Sequence, residues 1–193
     1  MSSVPERQRL LIIDTTLGRV SKGEFCREYP VKPEEAAHLS LEMLRTAIDC
    51  KDADRVELGL YLVGLFGPSP GLFELLLALV NPDWHTSHEM VVDYLGYFNS
   101  PTSAPALYQV ALSRYPYRDY DDADSLGVKA IWALGRLKTE EAVQRLADLV
   151  TSGRPILEKN AWEQLVRIEE RSESESLRAA AAERLDALAK RER

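Results

Sequence analysis

The chain has 193 residues, with 24 Lys and Arg against 31 Asp and Glu, for a formal net charge of −7 at pH 7. With 45% hydrophobic and 28% charged residues it has an ordinary globular balance, which argues against general disorder. An acidic chain repels phosphate backbones unless its cations are segregated onto one face, so nucleic acid is not the expected partner and a basic protein fits better.

No stretch reaches the roughly 18 apolar residues of a membrane span. The longest apolar run, from Leu72 to Val80, is interrupted by Glu74 and bounded by Pro70 and Pro82. Near the N-terminus, Leu10 to Ile13 is cut short by Asp14, so no secretory leader is expected. Cys26 and Cys50 lack CxxC spacing and read as free thiols of a reducing compartment, which places the chain in the cytoplasm.

In chain order, apolar periodicity and breakers predict a helix near 5–19, a short one near 22–29 and a long one near 33–50. Helix pairs follow at 53–66 with 70–80, 86–98 with 101–114, 124–137 with 139–152, and 154–169 with 173–191. Three of these pairs share one order: a helical run ending in aliphatic residues and Gly, a short turn, then a second run. The glycines are Gly64, Gly96 and Gly135, spaced by 32 and 39 residues, which suits one helix pair per repeat. Each is expected to let two helices approach closely, against a helix-propensity penalty of roughly 1 kcal/mol.

In the third pair Leu126, Ala130, Ala133, Leu134 and Leu137 form one stripe, and Val143, Leu146 and Val150 stripe the partner. One such hairpin leaves apolar surface that a neighbouring hairpin must cover. Turn chemistry agrees. Ser100 precedes Pro101, Thr139 precedes Glu140 and Glu141, and capping boxes are expected at Thr86–Glu89, Ser172–Glu175 and Ser21–Glu24. The fold expected is all-α, an α-solenoid of about four to five antiparallel helix pairs in a single domain, residues 1–193. Residues 1–50 form divergent N-terminal helices, 51–170 the repeats and 171–193 a capping helix with a polar face.

The segment Ser100-Pro101-Thr102-Ser103-Ala104-Pro105-Ala106-Leu107 resembles the turn and second helix of a HEAT repeat. Three further features occur in order: Thr86-Ser87-His88-Glu89, the Tyr-Pro-Tyr loop and Lys129-Ala130-Ile131-Trp132-Ala133-Leu134-Gly135. This combination is similar, over about residues 50–170, to small bacterial HEAT-repeat proteins regarded as immunity proteins of polymorphic toxin systems. The resemblance implies HEAT-like pairs and neutralisation of a cognate toxin by non-covalent binding.

Two segments stand out chemically. The first, Trp84-His85-Thr86-Ser87-His88-Glu89, holds two histidines and a carboxylate, which is either a metal-ligand set or a structural, partner-contacting turn. The capping role of Glu89 favours the turn, with Trp84, His85 and His88 as contacts and no metal or cofactor. The second, Tyr115-Pro116-Tyr117-Arg118-Asp119-Tyr120-Asp121-Asp122-Ala123-Asp124, is anionic and aromatic. It is either an interface for a basic partner, through Tyr115, Tyr117, Asp119, Tyr120, Asp121 and Asp122, or a solvated linker ending in a helix cap at Asp122 or Asp124. Calcium is a third option that the missing EF-hand Gly and terminal Glu disfavour. The second helices of the pairs add Tyr108, Gln109, Gln144, Arg145 and Asp148.

There is no Gly-x-Ser-x-Gly, no phosphate-binding Gly loop and no His-Glu-x-x-His, so no enzyme is expected. Trp132 and Trp162 belong to apolar stripes and read as core. The function expected is a protein-binding module, monomeric or weakly oligomeric, most concretely an immunity protein. A scaffold or assembly factor is the alternative. An enzyme acting on nucleic acid, by analogy with HEAT-like DNA glycosylases, needs a Lys/Arg groove around a Trp and a carboxylate.

Overall fold

A computed structural model of the chain describes residues 4–29, 31–121 and 124–191. Those residues are all-α and contain no strand. The helices are α1 (Glu6–Thr16), α2 (Lys22–Glu28), α3 (Pro33–Cys50), α4 (Ala53–Phe66), α5 (Leu72–Leu79) and α6 (His88–Phe98). They continue as α7 (Ala104–Leu112), α8 (Ser125–Leu137), α9 (Glu140–Leu149), α10 (Pro155–Arg171) and α11 (Glu175–Arg191). Single 3₁₀ turns, Pro101–Ser103 and Pro116–Arg118, lead towards α7 and α8.

Local chemistry sets the helix ends. α1 stops at Thr16, short of the expected 19, because Gly18 takes φ +72° and donates its N–H to Thr15 O at 3.1 Å. Ser21 and Glu24 form a complete capping box, with Glu24 N–H donating to Ser21 Oγ at 3.2 Å and Ser21 N–H to Glu24 Oε2 at 2.9 Å. Thr139 Oγ1 caps α9 by accepting from Ala142 N–H at 3.1 Å. The other two expected boxes are displaced. α6 begins at His88, too late for Thr86 to cap it, because His85 Nδ1 takes the Ser87 N–H at 3.2 Å. At α11 the capping hydroxyl is Ser174, which accepts from Leu177 N–H, whereas Ser172 Oγ accepts from Ser174 N–H.

Three connections share one backbone device. Lys51, Asn99 and Lys138 each adopt left-handed φ, at 53°, 49° and 52°, directly after a helix. A capping-type residue follows each: Asp52, whose carboxylate accepts from Arg55 N–H at 3.1 Å, Ser100 and Thr139. A reversal of two residues leaves the second helix little choice but to fold back on the first.

Packing divides the chain after Met90, inside α6. In the first unit α3 and α4 make the most extensive pair, α1 packs on α4 and α2, and α5 packs on α3. One core draws on both sides of residue 50: Leu11, Ile12, Phe25 and Met43 meet Leu58 and Leu62. The Phe25 ring stacks on Tyr29 at 5.1 Å and lies 5.3 Å from Phe66. The main partner of α4 is therefore α3, where the sequence reading paired it with α5.

The second unit has two layers. α8 and α10 stand side by side in one, while α7, α9 and α11 neighbour one another in the other. The stripe Leu126, Ala130, Ala133, Leu134 and Leu137 is buried, at 5% exposure or less, as are Val143 and Leu146 on α9. The glycines divide differently from their alignment. Gly64 is exposed, and Gly96 and Gly135 leave room for the side chains of Arg136 and Gln164. The close helix approaches are at Gly59 and Gly127, where an added Cβ would lie 2.8 Å from Leu44 Cδ2 and 2.9 Å from Ala111 O respectively.

Candidate functional site

The histidine turn belongs to the first unit and faces inward. His85 and His88 are 1% and 0% exposed, and their rings stack at 4.2 Å with 18° between planes. Each Nε2 atom lies 2.7 Å from a backbone carbonyl, that of Leu79 for His85 and of Pro82 for His88. Trp84, half-buried, sets its ring edge-on to His85 at 4.9 Å. The imidazoles thus satisfy the buried carbonyls of the 79–88 turn and cannot touch a partner directly, which removes His85 and His88 from the expected contact set. Among the described residues no group of three His, Cys, Asp or Glu is placed to hold a metal ion.

This turn carries a pH dependence. Burial pushes the His85 pKa down, and the bond to Leu79 opposes that shift. The geometry agrees, because Nδ1 accepts the Ser87 N–H and a second ring proton would set donor against donor. The sign follows. A histidine whose pKa is lower in the folded than in the unfolded chain contributes stability that is full above the unfolded pKa, about 6.5. That contribution is lost as pH falls through 6.5 towards the folded value. The urea midpoint is expected to be lower at pH 5.5 than at pH 7.5, with a smaller difference in His85→Gln. An equal difference in the two proteins would dissociate the effect from His85.

The acidic tyrosine loop lies in the second unit and is largely spent on itself. Tyr115 is 5% exposed and its ring lies 5.8 Å from that of Tyr117. The Asp121 side chain is 11% exposed, accepts from Ser125 N–H at 2.9 Å and Ser125 Oγ at 2.7 Å, and pairs with Arg118. The Arg118 bond holds the Asp121 carboxyl below its usual range, helped by those from Ser125. Asp124 is joined to Arg154 through both carboxylate oxygens. Asp119 is exposed and, among the described residues, makes no ion pair; Tyr120 is 79% exposed. Asp122 lies outside the described residues. Tyr115 and Asp121 therefore act inside the fold, and Asp119 and Tyr120 remain as outward groups. The helix cap expected of Asp122 or Asp124 falls to Asp121, which accepts from Ser125 at the start of α8, whereas Asp124 makes no side-chain cap bond there.

The α7 and α9 residues form a polar ridge of internal pairs. Arg145 sits 5.0 Å over the Tyr108 ring and 3.4 Å from Glu141, and Gln144 donates to Asp148 at 2.8 Å. Gln109 and Gln144 are exposed.

Sequence reading missed a groove of about 620 Å³ at the C-terminal ends of α8 and α10. Trp132, Gly135 and Arg136 reach it from α8, and Gln164, Arg167, Ile168 and Arg171 from α10. These positions recur at i, i+3, i+4 and i+7, so each set lies along one helix face. Trp132 is 39% exposed, contrary to its reading as core, because its position falls off the buried stripe of α8. Its indole donates to Asn160 Oδ1 at 3.3 Å, and Arg167 lies 4.8 Å over the ring. With Lys138 the groove holds four cations, and no Asp or Glu stands among its described lining residues.

Stacked helix hairpins around such a groove define a helical-repeat protein. Residues 128–152 match the family model described as PBS lyase HEAT-like repeat, a span that takes in most of α8, the Lys138–Thr139 turn and α9. No curated protein and no solved structure matches the chain.

The chain thus carries a HEAT-like repeat in an all-α fold, and no helix among the described residues is long and apolar enough to cross a membrane.

Proposed function

We propose that this chain is a protein-binding module that acts by occupying a partner's surface, with no covalent step of its own. The observation that carries this reading is the exposure of aromatic rings on the second unit. Tyr97, Tyr120 and Trp132 are 72%, 79% and 39% exposed. Tyr and Trp supply contact area at low entropy cost and are concentrated at the energetic centres of protein interfaces. The HEAT-like hairpin supports it too, since stacked helix pairs build extended binding surfaces. The analogy with nucleic-acid enzymes lacks its carboxylate, as no Asp or Glu stands among the described residues that line the groove around Trp132.

The finer reading is an immunity protein that neutralises a cognate toxin in the cytoplasm. It is supported by the resemblance of residues 50–170 to small bacterial HEAT-repeat immunity proteins. The alternative is a scaffold or assembly factor. Capture from native cells separates them: a partner that is toxic when expressed alone and silenced by this chain supports immunity. A harmless, stoichiometric partner supports the scaffold, and a chain that retains no protein overturns the module reading. Combining Asp119→Lys with Tyr120→Ala is expected to weaken partner binding by about tenfold, or 1.4 kcal/mol, without changing the circular dichroism spectrum. Unchanged affinity would take the loop out of the interface.

A further inference from the structure

We infer that the groove at the C-terminal ends of α8 and α10 is a docking site for an acidic, apolar-bearing segment of a protein partner. The inference rests on the protein-binding reading above and reverses the polarity that net charge assigns to the partner.

Arg136, Lys138, Arg167 and Arg171 are exposed and line this groove. None of the four makes a hydrogen bond or ion pair to any described residue, and Arg167 alone has an aromatic contact, the Trp132 ring. Other cations of the second unit are paired, Arg118 with Asp121, Lys129 with Asp93 at 2.9 Å, Arg145 with Glu141 and Arg154 with Asp124. Four cations without an ion pair thus line one groove beside a part-exposed indole.

Cations at a helix C-terminus have an ordinary explanation, because the last carbonyls carry partial negative charge. That effect is too small here. Two helix ends supply roughly −0.5 each, against four full positive charges, which leaves the groove's own lining positive, although Glu140 and Glu173 line the adjoining cavity beyond Lys138. Arg167 also lies a full turn before the end of α10. The groove is not purely electrostatic either. Its lining also holds the Trp132 indole and Ile168, while Gly96 and Gly135 let the Arg136 and Gln164 side chains lie close against the helices. Its volume lies within the range of about 300–1,000 Å³ common for ligand sites.

These features select the occupant. The carboxylates of an extended segment pair with the guanidinium groups as planar forks, and a Leu or Tyr side chain covers the indole. A nucleic-acid strand shares the charge but fits worse. Its phosphates continue beyond the groove, and with these four cations set aside the rest of a chain of net charge −7 is more acidic still.

The test uses the full chain and a fluorescein-labelled Glu-Glu-Leu-Glu-Glu-Tyr peptide, read by fluorescence anisotropy. The native chain is expected to bind it, more weakly as salt rises, because exposed charges are screened within about 8 Å at physiological ionic strength. Arg167→Glu with Arg171→Glu is expected to weaken binding by at least about tenfold. Trp132→Ala is expected to weaken it about threefold or more, and Lys159→Glu, an exposed cation elsewhere on α10, to leave it within about twofold. Circular dichroism and urea midpoints confirm that the variants fold. Absence of peptide binding by the native chain, or binding that the double reversal leaves unchanged, overturns the proposal. An oligothymidylate of equal charge that binds more tightly and loses binding on the same reversal overturns it in favour of nucleic acid. Self-association abolished by that reversal overturns it in favour of a second copy. A protein partner captured equally by native and reversed chains overturns the groove alone, whereas a native chain that captures none overturns the protein-binding reading beneath it.

Discussion

Arg154→Ala is expected to destabilise the second unit by about 2–4 kcal/mol, measured as the change in urea unfolding free energy. Arg154 stands at the N-cap of α10 with its side chain 15% exposed. Its guanidinium grips both carboxylate oxygens of Asp124, the residue before α8, which is itself 21% exposed. Its Nη1 also donates to the carbonyls of Ala111 and Leu112 at 3.2 and 3.1 Å. Those carbonyls end α7 and have no partner within their own helix. One side chain thus ties together the end of α7 and the starts of α8 and α10. Truncation strands a half-buried carboxylate and the two carbonyls, and it frees Asp124, whose backbone is held at φ +51°. Arg154→Lys keeps the charge but loses the fork, so it is expected to recover less than half of the loss. A change below about 0.5 kcal/mol for the Ala variant would show that the clamp adds nothing beyond a surface pair.

Gly127→Ala is the second large effect, expected to cost up to about 2 kcal/mol net. Overpacking in a filled core costs about 1–3 kcal/mol, and the better helix propensity of Ala returns roughly 1. The new methyl would stand 2.7 Å from Leu157 Cδ2 and 2.9 Å from Ala111 O. Leu157 can turn aside, but Ala111 O is backbone and is one of the atoms that Arg154 holds. Relief of the clash therefore pulls on the clamp. The Gly127→Ala and Arg154→Ala effects are expected to be non-additive by about 0.5 kcal/mol or more in a double-mutant cycle. Gly135→Ala is the matched control. Its Cβ would meet the Gln164 side chain, which unlike a backbone oxygen can turn aside, and its effect is expected to be smaller than that at Gly127. Equal losses at both glycines would mean that helix backbone geometry, and not the α7 contact, governs these positions.

Helix placement was legible because it depends on local chemistry. The expected spans at 33–50, 53–66 and 124–137 agree with α3, α4 and α8 to within a residue. Thr139 and Ser21 cap as their spacing required. Which helix pairs with which was less legible. Aligning Gly64 with Gly96 and Gly135 set α4 against α5, yet the better repeat marker is the two-residue reversal at Lys51-Asp52, Asn99-Ser100 and Lys138-Thr139. A left-handed Lys or Asn before a capping residue leaves only a faint trace in composition. The HEAT-like match at 128–152 falls on the hairpin where that reversal joins α8 to α9.

The candidate surfaces moved further. Residue type drew attention to the two histidines and to the acidic loop, but type does not say which way a side chain faces. His85, His88, Tyr115 and Asp121 turn inward because their polar atoms find partners there: the Leu79 and Pro82 carbonyls for the histidines, and Arg118 and Ser125 for Asp121. The groove had a trace in Trp132-x-x-Gly135-Arg136 and Gln164-x-x-Arg167-Ile168-x-x-Arg171, one helix face each. Nothing local says that these two faces meet.

By itself the sequence determined the all-α class, the spans of α3, α4 and α8, the caps Ser21 and Thr139, and the buried stripe of α8. Those follow from interactions within three or four residues and from burial of periodic apolar side chains. The tertiary structure alone decided that α4 packs on α3 and that the tyrosine loop is braced from within. It alone also decided that four unpaired cations gather around one indole on a chain of net charge −7. Net charge sums over the whole chain, whereas a partner meets only the charges that packing leaves together on one face.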